Sequence, residues 1–102
     1  MSHIEDKITL VCYDITSNKL RRKIDKAMKD FGVRLQYSLF LCRLDADGVR
    51  RCRDKLETVL AQYHTEKEPG DSIIILERLH SDSATSLLGK GLASAMQNYS
   101  IV

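Results

Sequence analysis

An apolar run, Lys7-Ile8-Thr9-Leu10-Val11-Cys12-Tyr13-Asp14, closes on a single carboxylate, and a strongly basic segment begins a few residues later at Lys19. A carboxylate at the tip of a buried strand can hold a hard cation. Mg²⁺ suits such a position, because it keeps several waters and needs only one or two carboxylates. One aspartate per chain makes a thin site, and two chains facing each other would supply two. The same carboxylate could instead favour the positive N-terminus of the helix that follows. Spacing leaves these two roles of Asp14 level.

From Thr16 to Arg34 stand seven basic residues (Lys19, Arg21, Arg22, Lys23, Lys26, Lys29, Arg34) against Asp25 and Asp30, in a chain whose net charge is only +2. Lys19, Arg22, Lys23, Lys26 and Lys29 recur three and four apart, so they form a stripe on one helix flank. Such a stripe, with Arg34 nearby, can bind a nucleic-acid backbone in a salt-sensitive, sequence-independent way. A merely solvated helix face is the equal alternative. Tyr13, Tyr37 and Phe40 are interleaved aromatics that could stack on bases, although an aromatic in a strand more often enters the core.

Other patterns carry less. Asp45-x-Asp47-Gly48 begins like a calcium loop, but Leu56 stands where the closing glutamate belongs. Gly89-Lys90-Gly91 lacks the spacing of a phosphate loop. His3, His64 and His80 form no metal-binding pair and read as surface residues. Cys12, Cys42 and Cys52 are odd in number and lack CxxC spacing, which argues against a disulfide framework or a zinc site. All three read as small core residues.

The elements that must position Asp14 and the stripe follow from periodicity. With 102 residues the chain suits one domain, which buries roughly 60–70% of its unfolded surface. A deep enclosed pocket is not expected at that size, and a site shared between subunits would supply one. Hydrophobic residues at 43% and charged residues at 29% are those of an ordinary globular protein. No apolar leader opens the chain and no apolar run is long enough to span a bilayer, so a cytosolic, non-membrane protein is expected.

Lys7 to Ile15 reads as a central strand, apolar on both faces, with Ile8, Leu10, Cys12 and Asp14 sharing one of them. Ser17 or Asn18 can cap a helix whose buried face is Leu20, Ile24, Ala27, Met28 and Phe31. Gly32 is expected to end it in the left-handed conformation. Val33 to Leu44 is long for one strand, and a break near Tyr37-Ser38 would make a short edge strand and a longer inner one. Asp45 or Asp47 can cap a second helix with Val49, Cys52, Leu56, Val59, Leu60 and Tyr63 on its buried face. Glu68-Pro69-Gly70 is a turn, and Asp71 to Leu79 is the last strong strand.

The order β-α-β-β-α-β suggests an α+β, ferredoxin-like sandwich with an antiparallel sheet over residues 1–79. Residues 80–102 read as a C-terminal extension: a helix weakened by Gly89, Gly91 and serines, a short strand, a partner-dependent element, or a disordered tail.

Tyr13-Asp14-Ile15, Arg21 and Lys23, Gly32-Val33-Arg34-Leu35-Gln36-Tyr37-Ser38-Leu39-Phe40, and Asp71-Ser72-Ile73-Ile74-Ile75 together resemble the small CRISPR-associated endonuclease family, the smaller core component of spacer acquisition. The resemblance spans about Lys7 to Leu79. It implies a ferredoxin-like homodimer with Mg²⁺ or Mn²⁺ held between two copies of Asp14. It also implies a basic surface that carries DNA in a complex with the larger integrase subunit. By position, Tyr13, Arg21, Lys23, Arg34, Ser38 and Phe40 line or support the catalytic cleft around Asp14. Lys19, Arg22, Lys26 and Lys29 of the basic stripe are the nucleic-acid contacts expected from the charge pattern itself. Lys23 keeps the charge of the arginine some relatives carry but lacks its bidentate fork. Many relatives carry glutamate after the Phe40 position, where this chain has Leu41.

The resemblance implies a metal-dependent endonuclease of antiviral defence, acting on RNA or on double-stranded DNA. In that reading Arg21, Lys23 and Arg34 stabilise charge on the phosphoryl oxygens. The alternative is a non-catalytic dimer that bridges DNA for the integrase. An RNA-recognition domain would need an Arg-Gly-aromatic signature that the chain lacks. A toxin-type ribonuclease related to the same family is the remaining alternative.

Overall fold

The structure, a computed structural model, describes residues 7–80. Its elements are β1 (Lys7–Asp14), α1 (Asn18–Met28), β2 (Gly32–Gln36), β3 (Leu39–Cys42), α2 (Ala46–Gln62) and β4 (Ser72–His80), with a 3-10 turn at His64–Glu66. This is the expected β-α-β-β-α-β order. The sheet runs β2-β3-β1-β4 with every pairing antiparallel, the layout of an open ferredoxin-like sandwich.

β1 lies inside the sheet, and its register sorts the core into two faces. Val11 pairs with Phe40 and Ile75, while Leu10 pairs with Leu41 and Leu76. Alternate residues of a strand point to opposite faces. Val11, Tyr13, Ile15, Phe40 and Cys42 therefore meet Leu20, Ile24, Ala27 and Met28 of α1 and Cys52, Leu56 and Val59 of α2. Ile8, Leu10, Leu39 and Leu41 form a second cluster on the other face, with Cys12, Val33, Leu35, Leu76 and Leu79 packed against it. Burying one such large apolar side chain is worth about 1.5–3 kcal/mol. The half-exposed Arg53–Glu77 pair between α2 and β4 is worth at most about 1 kcal/mol. Packing, not ion pairing, seats the helices.

The caps are those the sequence offers. Ser17 Oγ accepts from the Leu20 amide at 3.2 Å and Asp45 Oδ1 from the Gly48 amide at 2.7 Å. Gly32 differs from expectation. α1 ends at Met28 with Lys29 as its cap, and Gly32 is the first residue of β2 without a positive φ. Its need for glycine is steric: a Cβ there would stand 2.3 Å from the Leu41 carbonyl oxygen and 2.7 Å from Cys42 Sγ. The break at Tyr37-Ser38 occurs where expected, but the inner strand β3 has four residues and the edge strand β2 has five. Cys42 and Cys52 are buried, whereas Cys12 is only half-buried.

Among the described residues no helix is long and apolar enough to cross a membrane. β4 runs through His80, and the readings made for the rest of the C-terminal extension lie outside the described residues.

Candidate functional site

Asp14 ends β1 exposed, opposite Ser72, on the sheet face opposite α1 and α2. Its carboxylate has no hydrogen bond or ion pair among the described residues, and Ser17, not Asp14, caps α1. The chain leaves Asp14 through a braced loop. Asp71 Oδ1 accepts from the Thr16 amide at 3.1 Å and the Thr16 hydroxyl at 2.9 Å, and Asp71 Oδ2 accepts from the Glu68 amide at 2.8 Å. These bonds, led by the Glu68 amide, hold the Asp71 carboxyl below its ordinary pKa. The Ser17 hydroxyl donates to Glu66 Oε1 at 2.7 Å, which ties the start of α1 to the 3-10 turn.

Arg21 reaches back along this loop. One guanidinium nitrogen donates to the Ile15 carbonyl at 3.2 Å and another donates to Asn18 Oδ1. Its guanidinium carbon also lies 5.0 Å from the centre of the Tyr37 ring, and that of Arg34 lies 5.6 Å from the same ring. Tyr37 is 64% exposed at the β2–β3 turn. Ser38, beside it, has φ of 67° and gives its carbonyl to the Tyr13 amide at 3.1 Å. That bond pins the turn to the residue before Asp14.

Tyr13 and Phe40 lie inward, with stacked rings 6.3 Å apart and exposures of 4% and 1%. The Tyr13 hydroxyl donates to Asp25 Oδ1. Burial first, then this bond, raises the Tyr13 pKa well above its ordinary value. Tyr13 is thus a protonated strut beneath the site and no base within it.

The basic stripe divides. Lys19 and Lys23 place their ammonium groups 5.9 and 5.5 Å from the Tyr63 ring, on the side of α2. Lys23, Lys26, Asp30, Lys55 and Tyr63 line an open groove of about 230 Å³ between the helices. Lys23 therefore turns away from Arg21 and Arg34. Arg22 and Lys29 are exposed on α1. Among the described residues none of these cations is in a salt bridge, whereas Arg50 and Arg51 pair with Asp47 and Arg53 with Glu77. The three arginines of α2 share two carboxylates, whereas the cations of α1 have no acid within ion-pair distance among the described residues.

The remaining candidates are structural. Asp45 caps α2, Asp47 pairs with arginines, and His64 lies exposed with its ring against the Ala61 carbonyl. Burial and the neighbouring Cys52 push the Cys42 thiol up to about 12. Among the described residues no three His, Cys, Asp or Glu side chains cluster as a metal site. An exposed, unpartnered Asp14 still suits a cation that keeps most of its waters. Asn18 and Asp71 stood outside the residues expected at the site, and Tyr37 was expected there only as one of three aromatics that could stack on bases.

Residues 7–82 match the family described as CRISPR associated protein Cas2. The chain is 32% identical over 88 residues to the CRISPR-associated endoribonuclease Cas2 3 of Chloroflexus aurantiacus, covering 84% of this chain and 87% of that protein. A CRISPR-associated endoribonuclease Cas2 of Desulforudis audaxviator is 58% identical over 33 residues, 31% of each chain. The crystal structure of a hypothetical protein from Thermus thermophilus is similar with a TM-score of 0.57 and 26% identity, covering 70% of this chain and 79% of that one.

Proposed function

Because the chain belongs to the Cas2 family, the small subunit associated with CRISPR spacer-acquisition complexes, we propose that it is a metal-dependent phosphodiesterase that cuts nucleic acid within that system. The carrying observation is the Asp14 carboxylate, exposed at a strand end and without a partner among the described residues, with Arg21 anchored one residue away on the Ile15 carbonyl. The endoribonuclease names of the relatives make RNA the first substrate to test and double-stranded DNA the second.

In this reading two copies of the chain meet across the sheet face opposite α1 and α2. Ile8, Leu10, Leu39 and Leu41 are already buried within one chain, and it is the 53% exposed Ile74 on that face that supports the contact. Asp14 from each copy would hold Mg²⁺ or Mn²⁺ with water filling the remaining positions. When bound, the metal supplies Lewis acidity and a water of lowered pKa. Arg21 and Arg34 neutralise the charge that builds on the phosphoryl oxygens. Ser38 and Phe40 act from below: the serine carbonyl holds the Tyr13 amide, and the phenylalanine ring supports Tyr13. Lys19, Arg22, Lys23, Lys26 and Lys29 extend the positive surface for the backbone and for assembly with DNA and the larger integrase subunit.

The second reading is a dimer that bridges DNA without cutting it. The cations of α1, which stand in no salt bridge among the described residues, support it, because backbone binding needs no metal. The test is cleavage of labelled single-stranded RNA and double-stranded DNA with Mg²⁺, Mn²⁺ or EDTA, wild type against Asp14→Ala. The nuclease reading expects cutting that both EDTA and Asp14→Ala abolish, with binding retained. Equal cutting by Asp14→Ala, or none by either protein, refutes it and leaves the bridging role.

A further inference from the structure

We propose that Tyr37 is a base-stacking platform, held in place by Arg21 and Arg34, that selects a strand with an unpaired base. This rests on the nucleic-acid reading of the site and adds a contact which that reading does not require.

The three aromatics near β1 have separate fates. Tyr13 and Phe40 are buried against each other and cannot meet a ligand. Tyr37 alone faces solvent, at 64% exposure, and its hydroxyl has no hydrogen bond among the described residues. A lone exposed aromatic is ordinary. Here the mounting is not. Two guanidinium groups lie 5.0 and 5.6 Å from its ring centre, within cation–π range. Neither arginine is in a salt bridge with an acid among the described residues. The turn beneath is held by the bond from the Tyr13 amide to the Ser38 carbonyl, with Ser38 in the left-handed region.

Two like charges converging on one ring repel each other, and a cation–π contact at an exposed site returns only about 0.5–1 kcal/mol. A bound anion removes that repulsion. A nucleotide brings the anion and a flat ring together: the base stacks on Tyr37, and the adjoining phosphate meets the arginines. Stacking tolerates any base, because every base has a π face. In a duplex the bases are already stacked on each other, so Tyr37 can engage only a single strand, a frayed end or a flipped base.

The test is fluorescence anisotropy with the full chain in EDTA. The probes are a labelled 12-nucleotide single strand of mixed sequence, an abasic strand of equal length and charge, and a blunt duplex. Tyr37→Ala and Tyr37→Leu are expected to weaken the single strand about 5- to 100-fold, the loss of one base–aromatic stack. Tyr37→Phe is expected to bind like wild type. The abasic strand and the duplex are expected to bind all four proteins alike. Equal loss for the abasic strand would mean that the ring acts only by arranging the arginines, and overturns the proposal. So does wild-type affinity in Tyr37→Leu. Binding of the single strand by wild type and Tyr37→Ala alike overturns the proposal alone. Failure of wild type to bind any probe overturns the nucleic-acid reading with it.

Discussion

Tyr13 precedes the carboxylate expected to act, yet its own phenol is committed elsewhere. Its hydroxyl is buried and donates to Asp25, and both features keep the proton on the oxygen. Tyr13→Phe removes the donor and leaves a half-buried carboxylate with one acceptor unmet. That loss costs about 1–3 kcal/mol. The denaturant midpoint is expected to fall with an unchanged slope. A midpoint equal to wild type would show that water replaces the phenol. Because the phenol is not the base, the pH dependence of cleavage is expected to be the same in both proteins.

At the scale of elements, the loop between β1 and α1 is held from outside by Asp71 at the start of β4. Its carboxyl is lowered in the folded state, so it binds its proton less readily there than in the unfolded chain. Its stabilisation is therefore complete above the unfolded pKa, about 3.9, and fades as pH falls through the lower folded value. Thermal unfolding of wild type and Asp71→Asn is expected to differ at pH 7, with the gap closing as pH falls through the lowered folded value. A gap that persists in acid would assign the effect to packing. The two helices also divide their work. α2 pairs Arg50, Arg51 and Arg53 with acids, while α1 presents its cations unpaired among the described residues. In the proposed role it is the second arrangement that would meet phosphate.

For the whole molecule, the governing feature is a sheet with helices on one face and an apolar cluster on the other. Asp14 and Ile74 are exposed on the second face, so a partner that covers them also completes or blocks the carboxylate site. The proposed cover is a second copy. Ile74 pairs with Cys12 in that face and is more than half exposed, so a charge there spares the fold of one chain and opposes apposition of two. Ile74→Asp is expected to halve the mass seen by light scattering, with an unchanged circular dichroism spectrum, and to abolish metal-dependent cleavage. A dimeric Ile74→Asp protein would move the interface elsewhere.

Short-range pattern was enough for the element order, the strand break at Tyr37-Ser38, a pair of candidate caps for each helix, most of the buried faces of α1 and α2, and Asp14 at a strand tip. These depend on spacings of two, three and four residues and on side chains that bond their own backbone neighbours. The tertiary structure decided the rest. It turned Tyr13 and Phe40 inward and left Tyr37 outside. It sent Lys19 and Lys23 toward Tyr63 and Arg21 toward Tyr37, so one stripe became two surfaces. It made Gly32 a matter of close approach to β3, and it brought Asp71 to Thr16, 55 residues away. Such partners are chosen by sheet register and helix seating, which periodicity along a single segment does not encode.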